Sequence, residues 1–314
     1  MIAGLRVKPE MLRNRCHTVL TFLGGALVTL LLIATSSWLT SDVQDIPKTR
    51  VMDRLEVLQS WPPQSEAIQQ VLPPEDALTR MSRKDVSQIY HDYVATIQVP
   101  CKRTIRMGNS GDGGWDVCVD PPYSFHAPCL VYSFGISFDF SFDDDVANKY
   151  GCEVHSYDPS MKNVGDHSRG QQIYFHKTGL NSTDTINEDG WRMRTFSSIL
   201  KENNHSSETI DVLKIDIETS ELWALPEMLK SGSLRHVKQL CFEMHIKRGF
   251  QPEPNKEKYI FGLSIFRNLY EFGFRIFKTH KNMYPKYTSM FGMLRTGCHE
   301  IYMIRKVESI LLVK

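Results

Sequence analysis

Three stretches of this chain place carboxylates and a glycine where a bound molecule would meet them. Asp211-Val-Leu-Lys-Ile-Asp-Ile-Glu-Thr-Ser-Glu221 opens as a run of β-branched and apolar residues and then turns acidic. Val212, Leu213, Ile215 and Ile217 suit a parallel strand covered on both faces, and Thr219 or Ser220 suits the cap of a following helix with Leu222, Leu225 and Leu229. Asp216 and Glu218 therefore fall at the carboxyl end of a strand, the edge at which open α/β sheets bind ligands. Carboxylates there can neutralise a cation or take a proton from a nucleophile. Leu130-Val-Tyr-Ser-Phe-Gly-Ile-Ser-Phe-Asp139 predicts a strand ending in a sharp turn, with Gly135 giving backbone access and Ser137 standing where a nucleotide-binding GxG has its second glycine. Val154-His-Ser-Tyr-Asp158 ends in a carboxylate 23 positions after Gly135, about the spacing that serves a ribose in βαβ units. An Asx turn before Pro159 explains the Asp-Pro pair but not that register. Glu243 and His245 end one more strand on the same edge. An imidazole titrating near neutral pH can act as a general base, and a hydrogen-bonded structural histidine is the alternative. Asp216, Glu218, Glu243 and His245 could instead hold a divalent ion. No CxxC or paired Cys/His spacing occurs, so no resident metal is expected.

Positioning these groups requires a sheet. From residue 129 onward strands and helices alternate: strands at 130–134, 153–157, 173–176, 212–217 and 239–244, and helices at 142–150, 191–200, 221–230 and 259–272. A closing hairpin pairs 274–279 with 300–305. This alternation predicts a doubly wound α/β fold, mostly parallel with an antiparallel strand at its end. A first helix spans 82–99 and stops before Pro100. The loop-rich segment 101–123 carries Asp112-Gly-Gly-Trp-Asp-Val-Cys118, where a lid over the ligand edge, bearing Trp115, is expected.

The N-terminal part reads differently. Residues 19–39 contain no charged side chain, and as a helix would be roughly 30 Å long, enough to span a bilayer core. Arg6, Lys8, Arg13 and Arg15 precede the run and Asp42 and Asp45 follow it, which orients the first residues to the cytosol and the rest to the lumen. The run exceeds the ~7–15 residues of a signal peptide's apolar region, favouring an anchor, with cleavage near Ala34-Thr-Ser36 and secretion as the alternative. The expected order is a cytosolic tail (1–18), a transmembrane signal anchor (19–39), a proline-marked stem (40–88) and a catalytic domain (89–314). Two glycosylation sequons, Asn181-Ser-Thr183 and Asn204-His-Ser206, agree with a single-pass type II protein facing the Golgi or ER lumen. Past Cys16, six cysteines remain in an oxidising compartment. A bond between Cys101 and Cys118 would close a loop of about 18 residues, worth up to roughly 3 kcal/mol, while free thiols or pairing with Cys129 or Cys152 stay open. With 37 basic and 36 acidic residues, the chain carries no footprint for nucleic acid.

Tyr132-Ser-Phe-Gly135, Tyr157-Asp-Pro159, Leu213-Lys-Ile-Asp-Ile-Glu218, Glu221 and Phe242-Glu-Met-His245 together resemble the FkbM-type class I methyltransferases. The closer resemblance is to the methyltransferase-like protein 24 group, which has a hydrophobic N-terminus and a Cys…Asp-Gly-Gly…Cys segment like 101–118. Thr219-Ser220 stand where a Gly-Ala pair is usual. The resemblance covers roughly residues 88–305 and implies a Rossmann-like seven-stranded sheet with S-adenosyl-L-methionine as cofactor. On that fold Gly135, Ser137, Asp139, Asp158 and Asp216 would bind the cofactor, and Asp216, Glu218 and His245 would act in catalysis. The resemblance suggests O-methylation, with a glycan or small molecule as acceptor. Tail, span, stem and lumenal domain are also the layout of Golgi glycosyltransferases, whose metal-binding DxD would be Asp216-Ile-Glu218 or Asp143-Asp-Asp145. A non-catalytic module on the same fold is the third reading, favoured by Ser137 and Thr219-Ser220.

Overall fold

The structure is a computed structural model that describes residues 72–249 and 251–306, except the side chains of 283–285. The predicted tail, membrane anchor and stem as far as residue 71 lie outside the described residues, and so does Cys16. Among the described residues, no helix is long and apolar enough to cross a membrane.

Two helices come first, α1 (Glu75–Arg80) and α2 (Arg83–Ala95). The Ser82 hydroxyl accepts from the Asp85 amide and so caps α2. The helix ends four residues before the expected 99, because the Gln98 and Val99 amides donate to the Ile276 carbonyl instead of continuing the helix. Leu78 and Val86 are fully buried in the main core. The folded domain therefore takes in residues that proline content had grouped with the stem.

A hairpin follows, β1 (Thr104–Met107) paired antiparallel with β2 (Trp115–Cys118). Cys101 is bonded to Cys118 at its base, and a second disulfide joins Cys129 to Cys152, while Cys241 and Cys298 are free and buried. The chain then alternates through β3 (Leu130–Phe134), α3 (Ser141–Tyr150), β4 (Glu153–Tyr157), β5 (His167–Arg169) and β6 (Ile173–His176). Three short strands, β7 (Gly179–Leu180), β8 (Thr185–Ile186) and β9 (Arg192–Arg194), form a separate small sheet. Next come α4 (Phe196–Glu202), β10 (Ile210–Ile215), α5 (Glu221–Ser231), β11 (Val237–His245), α6 (Lys256–Glu271), β12 (Phe274–Thr288) and β13 (Leu294–Arg305).

The main sheet has the order β12-β13-β11-β10-β3-β4-β6-β5. Strands β11, β10, β3, β4 and β6 are mutually parallel, and β13 runs antiparallel between β11 and β12. These seven match the expected sheet. The eighth, β5, is an addition, antiparallel to β6 and wholly exposed. His-Ser-Arg carries no apolar pattern, so nothing in its sequence marks it as a strand. The helix expected at 191–200 is corrected as well. Met193 and Arg194 pair with Gly179 and Leu180, Arg192 pairs with Ile186, and α4 begins only after Thr195, whose hydroxyl accepts from the Ser198 amide.

Side chains alternate between two cores. Tyr132, Phe134, Ile215 and Phe242 face α1, α2, α4, α5 and α6, whereas Val131, Val154, Val212 and Cys241 face α3 and the β1–β2 hairpin. The sheet is thus buried on both sides, and its open edge is left to chemistry.

Candidate active site

Gly135 leaves β3 with φ of +80°, and a Cβ built there would lie 1.6 Å from the Asp216 carbonyl oxygen. No other residue fits so close an approach. The Gly135 amide donates to Tyr157 O (2.9 Å), and its carbonyl accepts from Lys214 Nζ (2.7 Å). Ser137 and Phe138 continue the turn at φ of 46° and 67°.

Asp158 holds this turn from beneath. One carboxylate oxygen accepts from the Ile136 and Ser137 amides (2.9 and 2.8 Å), the other from the Ser160 amide and hydroxyl (2.8 and 2.6 Å). The side chain is buried and its acceptor sites are filled. A ribose could be bound by it only at the expense of these bonds, so the spacing that suggested a sugar partner is here the spacing of a brace. Asp158→Ala is accordingly expected to lower folding stability by about 1.5–3 kcal/mol, the range for hydrogen bonds to a charged group, in urea unfolding monitored by circular dichroism. A variant as stable as the parent would refute the bracing role. Asp139 is similarly engaged, accepting from Asn109 Nδ2 (2.7 Å) and the Ser141 amide (2.9 Å), which ties the hairpin loop to α3.

Around the turn opens a cleft of about 450 Å3. Asp112, Gly113 and Trp115 of the hairpin segment line one side, so the expected lid does reach the ligand edge. Gly135, Ser137 and Asp139 line the floor, and Asp216, Glu218, Glu243 and His245 the acidic wall. Lys214 Nζ lies 5.5 Å from the centre of the Trp115 ring.

The acidic wall is a connected network. Burial, then the charge of Glu243, push Asp216 well above the usual carboxylate range, against the pull of Lys214 and His245. Burial would also raise Glu243, but the hydrogen bond and charge of His245, with bonds from Asn282 and Asp216, bring it down to about 2. Of the two, Asp216 therefore holds a proton the more readily. His245 Nε2 lies 3.2 Å from Glu243, and Nδ1 lies 3.2 Å from Glu221 Oε1. Burial alone would make the imidazole less basic, yet Cys298, Glu221 and Glu243 raise its pKa far above neutrality. Both His245 nitrogens thus face carboxylates, which favour its protonated form. A general-base role, expected from its ordinary pKa, would compete with these two ion pairs; the ligand atoms of Asp216, Glu221 and His245 lie within 4.8 Å of one another, as do those of Glu243, His245 and Cys298, close enough for either set to share the divalent ion considered above. Glu218 lies half-exposed, 2.9 Å from Arg248 Nε. Glu218 and Thr219 adopt φ of 59° and 85°, a left-handed pair in which β-branched Thr219 is strained.

Asp143, Asp144 and Asp145 do not form a second acidic site. Asp143 is fully buried against the Ser133 and Ser156 hydroxyls, Asp144 pairs with Arg169, and Asp145 with Lys149 and the Gly108 amide. Residues not singled out from the sequence also enter the site. Lys214 interrupts an apolar strand, a signal that could have marked it. Arg248 and Asn282 come from segments whose sequence carries no such mark, Asn282 donating 2.9 Å to Glu243 Oε1. Glu221 is wholly buried, accepting from the Ile217 amide (2.9 Å).

Residues 63–295 match the profile of a family described as "Methyltransferase domain". Two curated proteins, both named "Probable methyltransferase-like protein 24", are similar to the chain. The one from Homo sapiens is 29% identical over 209 residues, and the one from Rattus norvegicus 30% over 210. Each match covers 61% of this chain, but only 56% of the human and 57% of the rat protein. A solved Streptococcus pneumoniae structure, whose name assigns it provisionally as a tRNA (m1A22) methyltransferase, aligns with 58% of this chain and 65% of its own at 8% identity. Its TM-score is 0.27, too low to bear on the fold.

Proposed function

The chain belongs to the methyltransferase-domain family, and we propose that it transfers a methyl group from S-adenosyl-L-methionine to an oxygen of a glycan or small molecule in the secretory pathway. The observation that carries this reading is the cleft at the carboxyl edge of β3, β10 and β11, where the bare Gly135 turn faces Asp216 and Glu243. The residues present fit such a cofactor. The turn offers main chain without a Cβ, and the acidic wall suits a cation. When bound, the cofactor supplies a methyl group activated by a positively charged sulfur.

The chain's own residues divide the remaining work. Gly135 and Ser137 shape the floor, with Asp158 fixing their amides. Trp115 lines the cleft from the hairpin side. Asp216 holds its own proton more tightly than an ordinary carboxylic acid does, and once ionised it is the carboxylate placed in the cleft to accept a proton from a hydroxyl acceptor. His245 holds Glu243 ionised and Glu221 in place, a positioning role. Lumenal residence is supported by the paired cysteines, by the exposed Asn204 sequon and by the charge asymmetry around residues 19–39, whose membrane anchor would be the one lipid contact. The glycosyltransferase reading is less well supported, since Glu218 of the would-be DxD pairs with Arg248.

Calorimetry on the full chain tests the proposal. A cationic donor gains from an ionised Asp216, so binding of S-adenosylmethionine should strengthen as pH rises from 6 to 8.5, and more steeply than that of uncharged-sulfur S-adenosylhomocysteine. Asp216→Asn should remove the difference. Absence of binding by either compound at millimolar concentration, with folding intact, would replace methyl transfer by the non-catalytic module. Labelled-methyl transfer to glycan and small-molecule panels then identifies the acceptor.

A further inference from the structure

The reverse face of the β12–β13 hairpin carries a second cavity, of about 230 Å3, bounded by α2. Adjacent strand residues point to opposite faces. Asn282 lines the acidic cleft, whereas Lys281 and its cross-strand partner His299 line this second pocket. Lys286, Arg295 and Thr296 of the hairpin and His91 and Asp92 of α2 complete its polar lining.

The pocket has an excess of donors. His91 and His299 are 6% and 1% exposed, and His91 Nε2, His299 Nδ1 and Arg295 Nε have no hydrogen-bond partner among the described residues. Buried polar atoms left unpaired in this way are uncommon and call for an explanation. Burial and the neighbouring charges of Arg295 and Lys281 hold His91 at about 3 and His299 at about 4, so both rings are neutral at pH 7. Arg295 reaches only the neutral amide oxygen of Gln88. Among the described residues, no carboxylate pairs with Lys281 or Lys286. Asp92 is the one acidic lining residue, exposed and held 2.6 Å from the Gln88 amide. Three cations thus stand against one carboxylate, around two imidazoles with free ring nitrogens.

We infer that this pocket binds a phosphate- or sulfate-type oxyanion, free or as the terminal group of a sugar. Lys281, Lys286 and Arg295 supply the charge, and each neutral imidazole, with one N–H, can donate one hydrogen bond to a ligand in the pocket. An occupant would join β12 and β13 to α2 directly behind Asn282, and so brace the β12 residue that donates to Glu243.

The test is titration of the full chain with inorganic phosphate and, separately, with a hexose 6-phosphate, each against sodium chloride at matched ionic strength. Saturable binding with a rise in Tm is expected, at least tenfold weaker in the Lys281→Gln/Lys286→Gln double variant. Both lysines are exposed, so the variant should keep the parent circular dichroism. The tighter of the two ligands tells free anion from sugar-borne group. Imidazole resonances of His91 and His299 should shift on addition of phosphate. Equal stabilisation by chloride, or phosphate affinity unchanged in the double variant, would overturn the inference.

Discussion

Gly135→Ala is expected to abolish donor binding and to lower folding stability by about 2–5 kcal/mol. The left-handed backbone at φ of +80° costs a residue with a Cβ roughly 1–2 kcal/mol. Overpacking typically adds about 1–3 kcal/mol, and here the added atom would meet the Asp216 carbonyl at 1.6 Å. Relief by backbone movement is restricted, because the Asp216 amide is bonded to Phe134 O at 3.0 Å and Lys214 grips Gly135 O. The turn and the exit of β10 can separate only by breaking contacts on which the cleft depends. Urea unfolding and S-adenosylhomocysteine calorimetry read the two losses separately. Parent-like values in both would show that the close approach is dispensable.

The second large effect is expected at His245. His245→Leu leaves Glu221, wholly buried, without its cationic partner, and breaking a buried pair on one side typically costs about 3–5 kcal/mol. Adding Glu221→Gln should recover part of the loss, since the remaining amide carries no charge to strand. The pH dependence has a definite sign. His245 is raised in the folded protein, so its contribution is complete below its unfolded value of 6.5 and declines as pH rises above that. Glu243 is lowered to about 2, so its contribution is present above its unfolded value of 4.5 and is lost as pH falls toward 2. The stability difference between parent and His245→Leu should therefore be greatest between about pH 4.5 and 6.5. A difference that grew above pH 7 would mean that His245 is neutral in the folded protein.

The strands were legible because burial on both faces leaves an unmistakable apolar run, as at Leu130–Phe134 and Ile210–Ile215. The glycine turn and the carboxylates closing β4, β10 and β11 were legible for a related reason, since a residue type that ends such a run stands out against it. Strand β5 and the outer halves of β12 and β13 were not, because exposed edge strands can be polar throughout.

What the chain's order of residues determined by itself was the α/β alternation, the edge that bears the carboxylates and the family to which the domain belongs. These follow from local periodicity and from residues a few positions apart. The roles at that edge were decided only by tertiary contact. Asp158 braces a turn because the Ile136 and Ser137 amides arrive from the end of another strand, and the pKa of His245 is raised because Glu221 and Glu243 converge on it from a helix and from its own strand. The oxyanion pocket likewise exists only where α2 meets a hairpin nearly two hundred residues away in the chain. A proton's affinity for a side chain depends on its burial and its nearest charges, and neither is written in sequence spacing.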